Sequence, residues 1–373
     1  MILGRVRLGD IQQLIEAWLP PATASSGDNV GIQIGRADAE VRNILLALDV
    51  TLEVGQEAVR KHANLIITHH PLFFHPLRSL TDGSRVGRIA LYLAERKINL
   101  YAAHTNLDHA RDGVSFAMAQ GLGLTRCRLL SPLAGKLLKV AVNVPESHLE
   151  AVAGGMHHAG AGKFLNYEEC SFRSEGVGTF RGTMAATPFL GKKGILEKAP
   201  EVKLEVLVER WKLRKVLAAM REHHPYEEVA YDVIPLENES LEHGLGVIGM
   251  LREPLTKAGF LALVKRAFRV PTVRYAGSPA RRVKTVAVCG GAGIETAGEA
   301  LRQGADALVT ADVKYHGFQE HEDALFLVDA GHFETEVPVL PYVATRVRDM
   351  LRAHGSSSRV FVTQKNTNPI SYY

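Results

Sequence analysis

The residues of this 373-residue chain best suited to chemistry are histidines and carboxylates at three places. Thr68-His69-His70-Pro71 follows the apolar run Leu65-Ile66-Ile67. His104 precedes Asp108 by four residues, and His332 precedes Glu336 by the same spacing. Neutral imidazole is the commonest nitrogen donor for borderline divalent metals. A carboxylate can bridge two cations, and a pair about 3.5–4 Å apart is a recurrent device for activating water against a phosphoryl-like centre. Adjacent histidines in an extended chain point in opposite directions, so each is expected to serve one of two neighbouring ions. A bland reading stands beside the metal one. His69-His70 alone would pass as polar surface, and Glu336 alone as a carboxylate favoured at a helix N-terminus.

What must position these groups is an α/β scaffold that reads as duplicated. Ile44–Leu48 is expected to be a buried strand, Leu52–His62 a helix and Asn64–Thr68 a strand. Val286–Gly290, Ile294–Gln303 and Asp306–Thr310 repeat that order. Each is a strand-helix-strand unit of the kind that builds a parallel sheet. Laying Thr68 on Thr310 sets Glu57, Ala58 and Ala63 on Glu299, Ala300 and Ala305. Both copies continue through a helix, near Ser84–Arg96 and His316–His321, into the strands Ile98–Ala103 and Leu325–Ala330. Those strands lead to the two His-x-x-x-carboxylate pairs. Ligands in open α/β sheets gather at such strand ends. After Gly331-His332 a helix is expected to run to about His354, with Glu336 in its first turn and Pro338 tolerated there. Between the copies, Lys139–Val144, Glu201–Val208 and Glu228–Ile234 read as strands, and Glu146–Ala159 and Lys212–His223 as helices. The glycine-rich stretch from Gly176 to Gly194 separates them, which suggests an inserted α+β domain. The expected boundaries are 1–135, 136–240 and 241–373.

Composition narrows the function classes. Hydrophobic residues are 46% and charged residues 23%, as in ordinary globular chains, and the net charge is +4. No run of Lys and Arg is interleaved with aromatics, and the cluster Arg281-Arg282 with Lys284 reads as a solvated strand edge, so no nucleic-acid partner is expected. Cys127, Cys170 and Cys289 are far apart, arguing against a disulfide framework or zinc ribbon. No stretch approaches a membrane span, so no membrane partner is expected and the cytoplasm is the expected address.

Five motifs in order carry a family resemblance. They are Gly27-Asp28-Asn29-Val30-Gly31, Thr68-His69-His70-Pro71, His104-Thr105-Asn106-Leu107-Asp108, Thr310-Ala311-Asp312-Val313-Lys314-Tyr315-His316 and Gly331-His332-Phe333-Glu334-Thr335-Glu336. The chain resembles the NIF-three-like family, the GTP cyclohydrolase 1 type 2 homologues, over roughly residues 1–135 and 241–373. The middle segment, with Pro145-Glu146-Ser147-His148 and His224-Pro225-Tyr226-Glu227-Glu228, resembles a PII/CutA-like domain. The resemblance implies two divalent metal ions on His69, His70, Asp108, His332 and Glu336, with Glu336 bridging. It implies His104 and Asp312 as outer residues that orient the ligands, and a toroidal homohexamer whose inserts cap its openings. Ala311 stands where the family's aspartate motif has glycine.

Three other motifs compete for attention. His223-His224-Pro225 follows an amphipathic helix and reads as its end. Gly244-x-Gly246-x-x-Gly249 matches a dinucleotide fingerprint, but no strand precedes it and Pro254 follows, so a bend is expected. Gly290-Gly291-Ala292-Gly293 lies between a strand and a helix, where backbone amides could hold a phosphate or simply form a tight turn. Two function classes follow. One is a hydrolase using zinc, iron, manganese, cobalt or nickel on a nucleotide or phosphoester-like small molecule, with His104 as acid or base. The other is a non-catalytic metal- or nucleotide-binding regulatory protein.

Overall fold

The computed structural model describes residues 6–278 and 282–372. Arg281 therefore lies outside the described residues, while Arg282 is exposed and Lys284 lies in the strand Val283–Ala292. The chain adopts a mixed α/β fold in two compact units, one made of Met1–Ser131 with His243–Tyr373, the other of Pro132–Glu242.

The first unit contains a five-stranded sheet in the order Arg359–Val362, Asn43–Ala47, Leu65–Thr68, Asn99–Ala102 and Gly31–Ile34. The first four strands are parallel and Gly31–Ile34 closes the edge antiparallel. Leu65–Thr68 and Asn99–Ala102 are buried throughout, as parallel strands covered on both faces must be. Leu46, Leu65, Ile67 and Tyr101 pack with Val339, Val343 and Val347 on one side. Leu45, Ile66 and Leu100 pack with Val54, Ile89 and Leu93 on the other. The crossover helices Leu52–Arg60 and Arg85–Glu95 start where Thr51 and Ser84 accept the amides of Val54 and Gly87.

A six-stranded sheet follows the order Arg274–Ala276, Phe326–Asp329, Ala307–Ala311, Val283–Ala292, Gly244–Leu255 and Thr125–Pro132. Its three parallel strands, Val283–Ala292, Ala307–Ala311 and Phe326–Asp329, are again joined by helices, Ala297–Arg302 and Tyr315–His321. Ile44 pairs with Leu65 in one sheet as Val286 pairs with Ala307 in the other.

Two local expectations fail for backbone reasons. The Gly244–Gly249 motif is not a bend but the start of the strand Gly244–Leu255. Its ladder to Val283–Ala292 is regular from Val247 to Met250 and irregular before Leu255, so Pro254 falls where no regular ladder donor is needed. The single helix expected after His332 is broken into a helix His332–Glu336, a tight turn Val337–Val339 and a helix Leu340–Ala353. Pro338 and Pro341 each remove an amide donor and crowd the preceding turn.

The second unit is one antiparallel sheet, ordered Tyr231–Pro235, Leu137–Pro145, Leu196–Glu209 and Ser171–Arg181. Val140, Val142, Val144, Leu204, Val206 and Val208 pack against Val152 and Met156 of the helix Leu149–His158 and Val216 and Met220 of the helix Leu213–His223. The glycine-rich stretch is not a separator: Gly176 and Gly178 lie within the strand Ser171–Arg181. At the unit's root the Ser240 amide donates to the Leu133 carbonyl at 2.8 Å. Among the described residues no helix is long and apolar enough to cross a membrane.

Candidate metal centre

Parallel strands of both sheets of the first unit, not of one sheet, lead into the groups singled out above. Leu65–Thr68 runs directly into His69 and His70, whose amides donate to the carbonyls of Ala47 and Leu48. Beyond Asn99–Ala102, His104 precedes the short helix Thr105–Asp108. Beyond Phe326–Asp329, His332 opens the short helix His332–Glu336. On an α-helix a spacing of four brings side chains to the same face.

Glu336 is the hub. It is 3% exposed, and its Oε1 lies 3.1 Å from His332 Nε2 and 3.6 Å from His69 Nε2. Its Oε2 lies 3.0 Å from His70 Nε2. Asp108 Oδ1 is 3.6 Å from His69 Nε2, and His332 Nε2 is 3.3 Å from His70 Nε2. Gly291 makes room for this hub, since a Cβ there would collide with Glu336 Oε1. His69 and His70 do not diverge as extended-chain alternation predicts. Their ring centroids are 4.9 Å apart and both Nε2 atoms reach the same carboxylate, because the regular ladder stops at Thr68.

Each imidazole is aimed from behind. His69 Nδ1 donates to the Ala103 carbonyl at 2.9 Å, His70 Nδ1 to Asp49 at 2.8 Å, His104 Nδ1 to Asp28 at 2.8 Å and His332 Nδ1 to Asp312 at 2.7 Å. Such bonds fix the tautomer and turn every Nε2 lone pair toward the cluster. Asp312 thus sits behind His332. Asp28 belongs to the Gly27–Gly31 motif, whereas no motif above contains Asp49. A carboxylate two residues past the strand Asn43–Ala47 was the available signal for Asp49. Asp49 is itself held by the Thr367 hydroxyl at 2.7 Å.

The charges respond to this crowding. Burial pushes the Asp108 carboxyl up to about 7 against the pull of His69. Burial disfavours the charged form of His70, but Asp49 and Glu336 outweigh it and lift the ring to about 10. The hydrogen bond to Glu336 raises His332 to about 9 despite burial. Burial works against the ionised Glu336, yet His69, His332 and His70 hold it well below the usual carboxylate range. Burial and the neighbouring His69 drive His104 down despite Asp28.

The donor set fits divalent ions. His69 Nε2 and Asp108 Oδ1 are buried without a hydrogen bond, an arrangement costly in a protein interior unless another partner arrives. Two groups have ligand atoms close enough to share an ion, His69 with His70 and His104, and His70 with His332 and Glu336. His104 therefore stands among the nitrogen donors rather than only beside them.

A family model described as Duf34/NIF3 (NGG1p interacting factor 3) matches residues 6–369. The chain belongs to the Duf34/NIF3 family. Over 364 residues this family member is 41% identical to a Halalkalibacterium halodurans protein named GTP cyclohydrolase 1 type 2 homolog, covering 96% of this chain and 97% of that one. A Bacillus subtilis protein of the same name is 38% identical over 367 residues, 97% of each chain. The crystal structure of a Bacillus cereus protein related to NIF3 superposes with a TM-score of 0.88 at 38% identity, over 99% of this chain and 100% of that one.

Of the remaining motifs, His223 ends its helix with Nδ1 on the Ala219 carbonyl, and His224 Nε2 bonds the Asn143 carbonyl. Neither belongs to a metal-ligating group among the described residues. In the Gly290–Gly293 turn, the amides of Gly291 and Gly293 donate to the hydroxyls of Thr335 and Thr310. Those donors are taken, which favours the plain tight turn over a phosphate cradle.

Proposed function

We propose that His69, His70, Asp108, His332 and Glu336 hold two divalent ions, with Glu336 between them, and that this NIF3-family chain is a metal-dependent hydrolase of a nucleotide or phosphoester-like small molecule. The observation that carries the reading is Glu336, a buried carboxylate whose two oxygens face three imidazole nitrogens within 3.6 Å. Zinc, iron, manganese, cobalt and nickel all suit mixed imidazole and carboxylate donors. Ions held here would supply positive charge for an electrophilic centre and acidify a water. His104, with Nδ1 on Asp28 and its pKa lowered, presents a neutral Nε2 able to accept a proton. His104 also offers a ring nitrogen close enough to ligand atoms of His69 and His70 to serve as a ligand instead.

The test is metal per chain by elemental analysis, together with turnover of GTP and a phosphoester panel, for the parent and Glu336→Ala. GTP heads the panel because relatives carry the GTP cyclohydrolase name. Unchanged metal content in Glu336→Ala would remove the mechanism.

A second reading, a non-catalytic module in which the segment Pro132–Glu242 recognises a small molecule, is favoured by a cavity of about 620 Å³ beside Glu201 and Tyr226. Saturable binding of a small molecule to metal-loaded protein, without turnover, would select it. We also infer a duplicated origin for the two strand-helix-strand halves, supported by the matching pairs Ile44 with Leu65 and Val286 with Ala307. The domain division at 135 and 240, the PII/CutA-like character of the insert, a toroidal homohexamer and a cytoplasmic address complete the proposal. Light scattering of the purified chain tests the hexamer.

A further inference from the structure

We propose that the segment Pro132–Glu242 carries a binding site for an organic cation, seated on Glu201 and walled by Phe180, Phe189 and Tyr226. Along its strand Glu201 alternates with Val202, Leu204 and Val206, which pack on the two helices, so its side chain stands on the opposite sheet face. There it borders the cavity of about 620 Å³, yet the residue is only 9% exposed. Its Oε1 accepts the Tyr226 hydroxyl at 2.8 Å. No Lys or Arg pairs with it among the described residues, and its second oxygen accepts no hydrogen bond there. That second oxygen is left to the cavity that Glu201 lines, where a positive partner can meet it.

The surroundings are built around that carboxylate. Gly178 faces it from the neighbouring strand, and a Cβ there would run into the Glu201 carboxyl group. The Phe180 and Phe189 ring centroids lie 6.0 Å and 6.2 Å from that of Tyr226, a spacing at which a cation can lie within about 6 Å of several ring faces. The cavity also borders Glu227 and Glu228 against one cation, Arg181, whose guanidinium donates to the Gly194 carbonyl. Negative charge, aromatic faces and a free acceptor select an ammonium or guanidinium and reject a phosphate. The Tyr226–Glu201 bond alone would be an ordinary loop anchor; the open volume and the unused oxygen are what that role leaves unexplained.

This site deepens the second reading above and is independent of the metal centre. The chelator-treated full chain is titrated by calorimetry with agmatine, which carries both cationic groups, and with ATP as the contrasting anion. Agmatine is expected to bind saturably. Glu201→Gln, which keeps the Tyr226 bond, should weaken it at least about tenfold, whereas Tyr226→Phe keeps the charge and the ring and should not. Should Glu201→Gln fail to fold, Phe189→Ala, at a residue 49% exposed, should weaken agmatine several-fold. The proposal is overturned by absent agmatine binding at millimolar concentration, or by binding unchanged in Glu201→Gln, or in Phe189→Ala where that variant stands in. ATP binding without agmatine binding would also overturn it, while leaving small-molecule recognition by this segment intact.

Discussion

Thr68 ends its strand and Thr310 stands one residue before the end of Ala307–Ala311, and different residues follow them. After Thr68 come His69 and His70, which turn their Nε2 atoms toward Glu336. After Thr310 the corresponding residues are Ala311 and Asp312, and Asp312 grips His332 from behind. The roles reverse at the next strand end. Glu336 is buried among three imidazoles, whereas the imidazole closest to Asp108 is that of His69, at 3.6 Å. One scaffold can thus supply at a given position either a donor or the group that aims a donor. The two sheets contribute unlike groups to one cluster.

The comparison breaks most visibly if Glu336 is not the shared hub. Glu336→Ala should lower metal affinity by more than about 100-fold, beyond the 10–100-fold typical of losing an outer partner. Metal content after dialysis reads this directly, and a variant that keeps its ions would refute the hub. Asp49→Asn comes next. Asp49 aims His70 and is itself fixed by Thr367, so a loss of about 10–100-fold is expected, and parental affinity would deny it that task.

Protons should sharpen the contrast further. In the metal-free chain His70 and His332 are raised to about 10 and about 9 and so hold protons at neutral pH. Metal must displace them, so uptake should release protons and tighten as pH rises from about 6 toward 9. Calorimetry in buffers of different ionisation enthalpy counts those protons; a count of zero contradicts the coupling. Asp312→Asn should show the smallest effect, under about tenfold, because the Asp312 side chain is 53% exposed and its bond to His332 competes with water. A larger loss than for Asp49→Asn would invert the ranking of the two halves.

Much of the site was legible because its strongest signals are local. An apolar strand running into Thr68-His69-His70, and histidines four residues before a carboxylate, state both the residue types and the geometry that aligns them. The groups behind the imidazoles were harder. Asp49 stands 21 residues from His70 and Asp28 stands 76 from His104, and no short-range periodicity links such partners. Glycine misled twice in the fold. At Gly246, Gly249 and Gly178 it marks strands under close packing rather than bends or linkers, since neighbouring side chains occupy the space a Cβ would need. The broken helix after Glu336 was written in Pro338 and Pro341, but the tolerance of an early helical proline was extended too far.

The bond between Ser240 and Leu133 has a consequence for how such a molecule can change over time. The polypeptide departs and returns at a single doorway, so everything between these residues is a side branch of the main chain. His70 and His332 lie 262 residues apart, yet the entropy of closing a long loop rises only with the logarithm of its length. A branch whose own ends are already tied adds even less. Tied at its root, Pro132–Glu242 adds little to the entropy of bringing His70 and His332 together.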